Sequence, residues 1–312
     1  MPLVLVTGGA GFVGANLIRL LSQRGFDLRV LDDLSDGRRS YLEGVAGPVD
    51  ARWASLTDAE EVDDACRGVD AVVHLAARSG IPPSIADPAE DFRVNVNGTF
   101  SLLDATRRAG VGHIVFASSG AVLAGAEPPL SEDLAPRPRS PYGSSKLYGE
   151  AVLSAFEASY GLVGVSLRFA NVYGPFCAHK QSVVARFLER LLDGEPLVIE
   201  GDGAQTRDFI FVEDVAEAIV AALGQPQGGV YHLGTGKETS VMELAREASN
   251  AARVDLQIEN RPGRRGDPAR NVVDISRARH DLGWGPKVEL ADGVARTFDW
   301  LASERARLSA SG

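Results

Sequence analysis

Residues 2–14 read Pro-Leu-Val-Leu-Val-Thr-Gly-Gly-Ala-Gly-Phe-Val-Gly, and the chain continues as Ala-Asn-Leu-Ile-Arg-Leu-Leu. An apolar run that ends in Gly8, Gly9, Gly11 and Gly14 and then opens into a helical pattern has the order strand, tight turn, helix. That order suits a phosphate cradle: glycines let the backbone approach closely, and a helix N-terminus offers free N–H groups and the positive end of its dipole to a pyrophosphate. The spacing satisfies Gly-x-Gly-x-x-Gly from Gly9 and Gly-x-x-Gly-x-x-Gly from Gly8, and here the motif has the strand before it and the helix after it.

A second apolar strand, Leu28 to Leu31, ends at Asp32-Asp33. This is about 20 residues beyond the glycines, where an acid takes the ribose hydroxyls of an adenosine. Two acids after a strand also suit a plain turn. A carboxylate here repels a 2′-phosphate and no arginine follows directly, which favours NAD over NADP; Arg38 and Arg39 lie further along and keep the alternative open.

Apolar strands alternate with helical patterns through the first half. Asp70 to Leu75 and Gly112 to Ala117 read as strands, Pro88 to Ala109 as a long helix, and Ser140 to Tyr160 as a helix leading into a strand from Val163 to Phe169. Such alternation implies crossovers and a parallel sheet covered on both faces, an α/β doubly wound (Rossmann) architecture. Beyond about residue 175 the alternation loosens into helices near 181–193, 213–223, 241–251 and 290–303 with short strands between. The expected division is a dinucleotide-binding domain over 1–175, to which some later segments return, and a smaller α/β substrate lobe over 176–312. The last ten residues are expected to fray.

With 312 residues, 45% of them hydrophobic, the chain can bury a large core, and its net charge of −10 argues against nucleic acid and anionic membranes as partners. No apolar stretch reaches the length of a membrane span. Two cysteines and five scattered histidines offer neither a disulfide framework nor a metal site, so a reducing cytoplasm is the expected location and no metal is expected.

Tyr142 and Lys146 stand four apart in Ser-Pro-Tyr-Gly-Ser-Ser-Lys-Leu-Tyr-Gly-Glu. On a helix they share a face, and a fixed ammonium beside a phenol favours the phenolate, lowering a pKa that starts near ~10 towards the range of a working base. Alone, the spacing fits any solvated helix. Together with the glycine turn, with Ser118-Ser119 after the strand that begins at Gly112, and with His74-Leu-Ala-Ala77, Asn95-Val-Asn-Gly-Thr99 and Arg168-Phe-Ala-Asn-Val-Tyr-Gly-Pro175, it resembles the extended short-chain dehydrogenase/reductases. The likeness runs from Val4 to about Trp300, within the NAD-dependent epimerase/dehydratase family, and is strongest to the nucleotide-sugar branch that includes UDP-sugar 4-epimerases.

The resemblance implies tightly bound NAD, with cofactor contacts from Gly8, Gly11, Phe12, Val13, Gly14, Asp32, Asp33, Ser55, Leu56, Leu75, Ala76, Ala77, Asn95, Tyr142 and Lys146. It makes Tyr142 the base that takes the C4 hydroxyl proton of a sugar, Lys146 the bridge to the nicotinamide ribose, and Ser119 the hydroxyl relay, a place Ser118 can also fill. It gives a UDP-sugar to Ser118, Ser119, Asn171, Val184, Arg207, Arg264 and Asp267, with Asn171, Arg207 and Arg264 on the pyrophosphate and Asp267 on the uridine ribose. Where the family often has an acid at the adenine edge, this chain has Ser55, so weaker adenine anchoring is expected.

Gly120-Ala121 follow Ser119 where the 4,6-dehydratases carry Asp-Glu and the glucuronate decarboxylases Glu, which disfavours elimination and decarboxylation. The implied reaction is inversion at C4 of UDP-glucose/galactose or UDP-glucuronate/galacturonate through a transient 4-keto sugar. A carboxylate at C6 would look to Arg78, His179, Lys180 or Arg186, and the size of Asn271 bears on acetamido sugars. The alternatives are a reductase or dehydratase of another nucleotide sugar and a non-catalytic cofactor-binding protein. The family also implies a homodimer through paired helices, with Phe100, Leu103, Leu147, Val152 and Phe156 offering apolar surface.

Overall fold

Seven strands pair in parallel into one sheet in the computed structural model of the protein, which describes residues 1–178, 182–263 and 269–310. In chain order they are β1 (Leu3–Thr7), β2 (Asp27–Leu31), β3 (Val49–Arg52), β4 (Ala71–His74), β5 (His113–Ser119), β6 (Val163–Phe169) and β7 (Gly229–Leu233). Across the sheet they run β7-β6-β5-β4-β1-β2-β3, all parallel. Consecutive side chains on β1 serve both faces: Val4 and Val6 pack with Leu17, Ile18 and Leu21, while Leu5 packs with Val72, Leu102 and Ile114. Burial on both faces explains why these strands read as unbroken apolar runs.

The strand order reverses between β1 and β4. Such a switch point leaves a crevice at the carboxyl ends of the strands, where the glycine turn, the segment after His74 and the serines ending β5 all lie.

A second core, outside the sheet, gathers Val184, Phe187, Leu188, Phe209, Phe211, Leu244 and Leu301. Around it lie the helices Val183–Leu192, Val241–Ala252 and Leu290–Ala310 and three small ladders. Asn171–Tyr173 pairs with Phe209–Phe211 and Leu197–Glu200 with Ile258–Arg261, both in parallel, and Thr206–Arg207 pairs antiparallel with Thr239–Ser240. Ser240 and Glu243 form a capping box on the second of these helices, which fixes its start.

One expectation changes here. The C-terminus does not fray within its last ten residues as far as it is described: the final helix continues to Ala310, with Glu304 held by both Arg307 and Arg38. The helical stretch from about Pro88 to Ala109 is present and divides into Pro88–Asp91, a π-helical turn over Phe92–Asn97, and Gly98–Arg108. Among the described residues no helix is long and apolar enough to cross a membrane.

Candidate active site

The turn after β1 is shaped for close approach. Gly8 takes a φ of +70°, and a Cβ there would come within 2.8 Å of the Ala76 nitrogen; a Cβ on Gly14 would lie 2.1 Å from the Gly8 carbonyl oxygen. The helix Phe12–Gln23 starts from Gly11 with no side-chain cap and no acid in its first turn. The positive end of the helix dipole therefore meets no acid of the first turn, which suits an anion at that end. Phe12 is buried and Val13 half-buried, so their side chains anchor the helix while their backbone faces the turn.

Asp32, 7% exposed, ends β2 and accepts hydrogen bonds from the backbone N–H of Ala10 at 2.9 Å and of Leu34 at 2.8 Å. Burial raises its pKa above the usual carboxylate range and these two donors pull it back. Each oxygen keeps a lone pair for a ribose hydroxyl. Asp33 is exposed and accepts from Ser35 N–H at 3.0 Å. The two arginines that kept a 2′-phosphate in play have other partners: Arg38 pairs with Glu304 at 3.4 Å and lies over Tyr41, and Arg39 lies over Trp53. Ser55 is hydrogen-bonded to Thr57 at 3.0 Å, and Leu56 is buried against Gly98. Leu75 and Ala76 follow β4 and donate their N–H groups to Thr7, and Ala77 continues the same segment.

Opposite faces of β5 separate the two serines. Ser118, 2% exposed, donates to Glu150, whose carboxylate is gripped by Arg168 through bonds of 2.8 and 2.7 Å. Ser119 turns the other way, accepts from Ala121 N–H at 3.2 Å and faces the Tyr142 phenol, whose pKa it lowers. Tyr142 occupies the first turn of the helix Pro141–Tyr160. That helix is capped by Ser140, carries Pro141 in its first turn where no N–H is needed, and ends at Gly161 in the left-handed conformation.

Lys146 sits one turn on, 4% exposed, its Nζ 5.8 Å from the Tyr142 ring centre and 5.0 Å from that of Phe116. The Phe116 ring fits there because residue 149 is glycine: a Cβ on Gly149 would be 2.3 Å from the ring.

The expected lowering of the Tyr142 pKa is not met in the chain alone. Burial pushes the phenol up to about 12, Ser119 lowers it and Asp91 raises it further. The desolvation of a phenolate outweighs the help from its neighbours until another positive charge enters the site.

Asn95, 4% exposed, lies behind this group with every side-chain polar atom engaged. Its Oδ1 accepts from Arg78 N–H at 2.8 Å; its Nδ2 donates to Arg78 O and Asp91 Oδ1, both at 3.0 Å, with Ser145 Oγ at 3.4 Å. The network continues to β4. Thr99 donates to the Asn95 carbonyl, so it accepts from His74 Nε2 at 3.0 Å; His74 Nδ1 then accepts from Thr7 at 2.8 Å. His74 is 1% exposed and its pKa falls to about 3, through burial and then the charge of Lys146, so it is a neutral imidazole.

On the far side of the crevice, Asn171 N–H bonds Asp208 O at 2.9 Å, and Arg207 Nη1 donates to Thr206 O at 2.7 Å. Asp208, 0% exposed, accepts from the N–H groups of Thr235 and Gly236, and this fixes the strand ends that carry both residues. Val184 is 2% exposed, its side chain packed in the second core. Arg264, Asp267, His179 and Lys180 lie outside the described residues. The sequence reading passed over Asp91, Glu150, Arg168 and His74 as parts of the site. Only the i,i+4 spacings Asp91–Asn95 and Lys146–Glu150 could have pointed to the two acids.

A parallel sheet of this order, with a glycine turn at its switch point and a carboxylate ending the next strand, defines a dinucleotide-binding Rossmann fold. Residues 4–234 match the NAD dependent epimerase/dehydratase family, and the chain belongs to that family, whose cofactor NAD fits the cradle just described. It is 40% identical over 311 residues to a UDP-glucose 4-epimerase of Mycolicibacterium smegmatis, covering 96% of this chain and 98% of that one. A dTDP-glucose 4,6-dehydratase of Streptomyces niveus is 33% identical, with 97% and 94% covered. The crystal structure of a Thermus thermophilus UDP-glucose 4-epimerase in complex with NAD superposes with a TM-score of 0.87 at 38% identity, covering 96% of this chain and 99% of that one.

Proposed function

We propose that the protein is an NAD-dependent epimerase inverting C4 of a UDP-hexose, either UDP-glucose/galactose or UDP-glucuronate/galacturonate. The observation that carries this reading is the Ser119 side chain facing the Tyr142 phenol and lowering its pKa, beside a turn, Gly120–Leu123, with no titratable side chain. NAD, when bound in the glycine cradle, would supply reversible hydride acceptance. Tyr142 takes the C4 hydroxyl proton, Ser119 relays it, and Lys146 holds the nicotinamide ribose and favours the phenolate. Asn171 and Arg207, with Arg264 and Asp267, hold the nucleotide while the 4-keto sugar turns over and is reduced on its other face. Tight cofactor binding is part of this reading, because the same hydride must return.

The likeness to a dTDP-glucose dehydratase favours one second reading, elimination of water from a dTDP-sugar. Against it stands the lack of an acid or base on Gly120–Leu123. Product analysis by NMR across UDP-glucose, UDP-glucuronate, their acetamido relatives and dTDP-glucose separates the readings. A C4 epimer without net reduced nicotinamide supports the first; a 4-keto-6-deoxy product replaces it with the second.

The proposed division falls near residue 175, with β7 returning to the sheet. A homodimer is proposed through the helices Gly98–Arg108 and Pro141–Tyr160. Phe100 is 48% exposed, Phe92 56% and Tyr160 58%, whereas Leu103 and Phe156 pack in the protomer's own core, so they do not supply the contact surface. A monomer by light scattering at micromolar concentration rules the dimer out.

A further inference from the structure

The strand that carries Arg207 is only two residues long, Thr206–Arg207, and pairs antiparallel with Thr239–Ser240 in the register Arg207 with Thr239 and Thr206 with Ser240. A ladder so short is marginal by its own hydrogen bonds and needs ties from outside. On one side of Arg207 the tie is Asp208, buried and accepting from Thr235, Gly236 and Val273. On the other side it is Glu238. The Thr206 hydroxyl donates to Glu238 Oε2 at 2.7 Å, and Arg270 grips the same carboxylate through Nε, at 3.1 and 3.0 Å, and through Nη2. Thr206 N–H also donates to Ala269 O at 2.9 Å, so segments more than 30 residues apart in sequence are joined at one carboxylate.

Arg207 Nη1 donates to the carbonyl oxygen of Thr206 at 2.7 Å, so its guanidinium is tied to the very residue that Glu238 holds. We propose that Glu238 is a positioning residue for the nucleotide: through the Thr206 hydroxyl, and backed by Arg270, it sets the direction in which Arg207 offers its guanidinium to a diphosphate. A planar fork meets phosphate oxygens by angle as well as by charge, so a small rotation loses a hydrogen bond while the cation stays. Bonds from Arg270 and then Thr206 hold the Glu238 carboxyl at about 2, well below the usual range, and it stays an ionised acceptor at neutral pH. The neighbouring Lys237 is paired with Glu289 at 3.1 Å. Arg270 is 59% exposed, and an ion pair so open to water adds little to folding. Its consequence lies in where Thr206 sits. This inference rests on the role proposed for Arg207 in holding the nucleotide.

Calorimetric titration of UDP, and separately of dTDP, into the NAD-bound protein tests this with no sugar present, apart from the product panel that tests the epimerase reading. Arg207→Ala should weaken diphosphate binding about tenfold or more, and Glu238→Gln, which keeps the shape and removes the charge, about fivefold. Thr206→Val should match Glu238→Gln, whereas Thr206→Ser, which keeps the hydroxyl, should bind as wild type does. A double variant separates positioning from general damage. Glu238→Gln combined with Arg207→Ala should bind no more weakly than Arg207→Ala alone, because the acid acts through the arginine. In turnover the Glu238→Gln change should appear in KM, with kcat within a few-fold of wild type. Wild-type affinity in Glu238→Gln or in Thr206→Val, or additive losses in the double variant, overturns the inference while leaving Arg207 its role. Wild-type affinity in Arg207→Ala removes that role and the inference with it.

Discussion

Arg168 holds Glu150 by two parallel hydrogen bonds across the interface between β6 and the helix Pro141–Tyr160, with both side chains less than a tenth exposed. Breaking one side of such a pair leaves a buried charge alone. Glu150→Ala should lower the unfolding free energy by about 3–5 kcal/mol. Arg168→Met with Glu150→Leu should cost less than the two single losses together. Urea unfolding of Glu150→Ala, of the Arg168→Met and Glu150→Leu single variants and of their double variant checks this, and additive losses in the cycle refute the coupling.

The two serines of β5 should separate cleanly. Ser119→Ala, which removes the hydroxyl facing Tyr142, should lower kcat about 100-fold, with about 1 kcal/mol of stability lost from the cap on Ala121 N–H. Ser118→Ala removes a donor to Glu150 and should cost about 1 kcal/mol of stability while kcat stays within a few-fold. The assignment fails if Ser118→Ala is the slower enzyme. Tyr142→Phe keeping more than a tenth of turnover would remove Tyr142 as the base.

His74 and His232 are both buried, with pKa values lowered to about 3 from 6.5. A group depressed in the folded state contributes stability that is present above its unfolded pKa and lost as pH falls towards the folded value. Stability should thus begin to drop below pH 6.5, with a slope approaching about 1.4 kcal/mol per pH unit for each histidine. Between pH 6.5 and 5 ordinary carboxylates stay ionised, and because burial raises Asp32 and Asp208 and lowers His113 as well, the contribution of His74 is read from the difference between wild type and variant in denaturant unfolding. His74→Gln should flatten the slope, and an unchanged slope refutes the proposal for His74.

Gly14→Ala places a methyl group against the Gly8 carbonyl and should distort the turn. Overpacking costs about 1–3 kcal/mol, which at the midpoint is more than tenfold in NAD affinity if the distortion falls on the cradle. Isothermal titration of NAD into cofactor-stripped protein reads the loss directly. Affinity within twofold of wild type would show that the turn is not the binding element.

Much of this was legible in the sequence because it is local. Gly8 to Gly14, Asp32 and the pair Tyr142–Lys146 are fixed by spacing along one strand or one helix, and strand periodicity placed the sheet. What the sequence left open depends on groups brought together from afar. Ser118 and Ser119 differ only in which face of β5 they leave, a matter of register with β6. The pair spacing at Tyr142 reports a neighbour's charge and not the burial that, in the chain alone, pushes the phenol up. Asp91 escaped notice because its burial, among side chains from other elements, is not written in its own spacing.

The π-helical turn over Phe92–Asn97 holds one more residue than an α-helical turn would. Asn95 reaches Ser145 from this turn, and Thr99, just beyond it, reaches His74. Removing a single residue there would turn the wide turn into an ordinary α-helical one with the flanking helices kept in phase, at the expense of the spacing that sets Asn95 between Asp91 and Thr99. A segment with no loop in it thus carries a length constraint of its own, and relatives that share this network should keep that length even where its letters change.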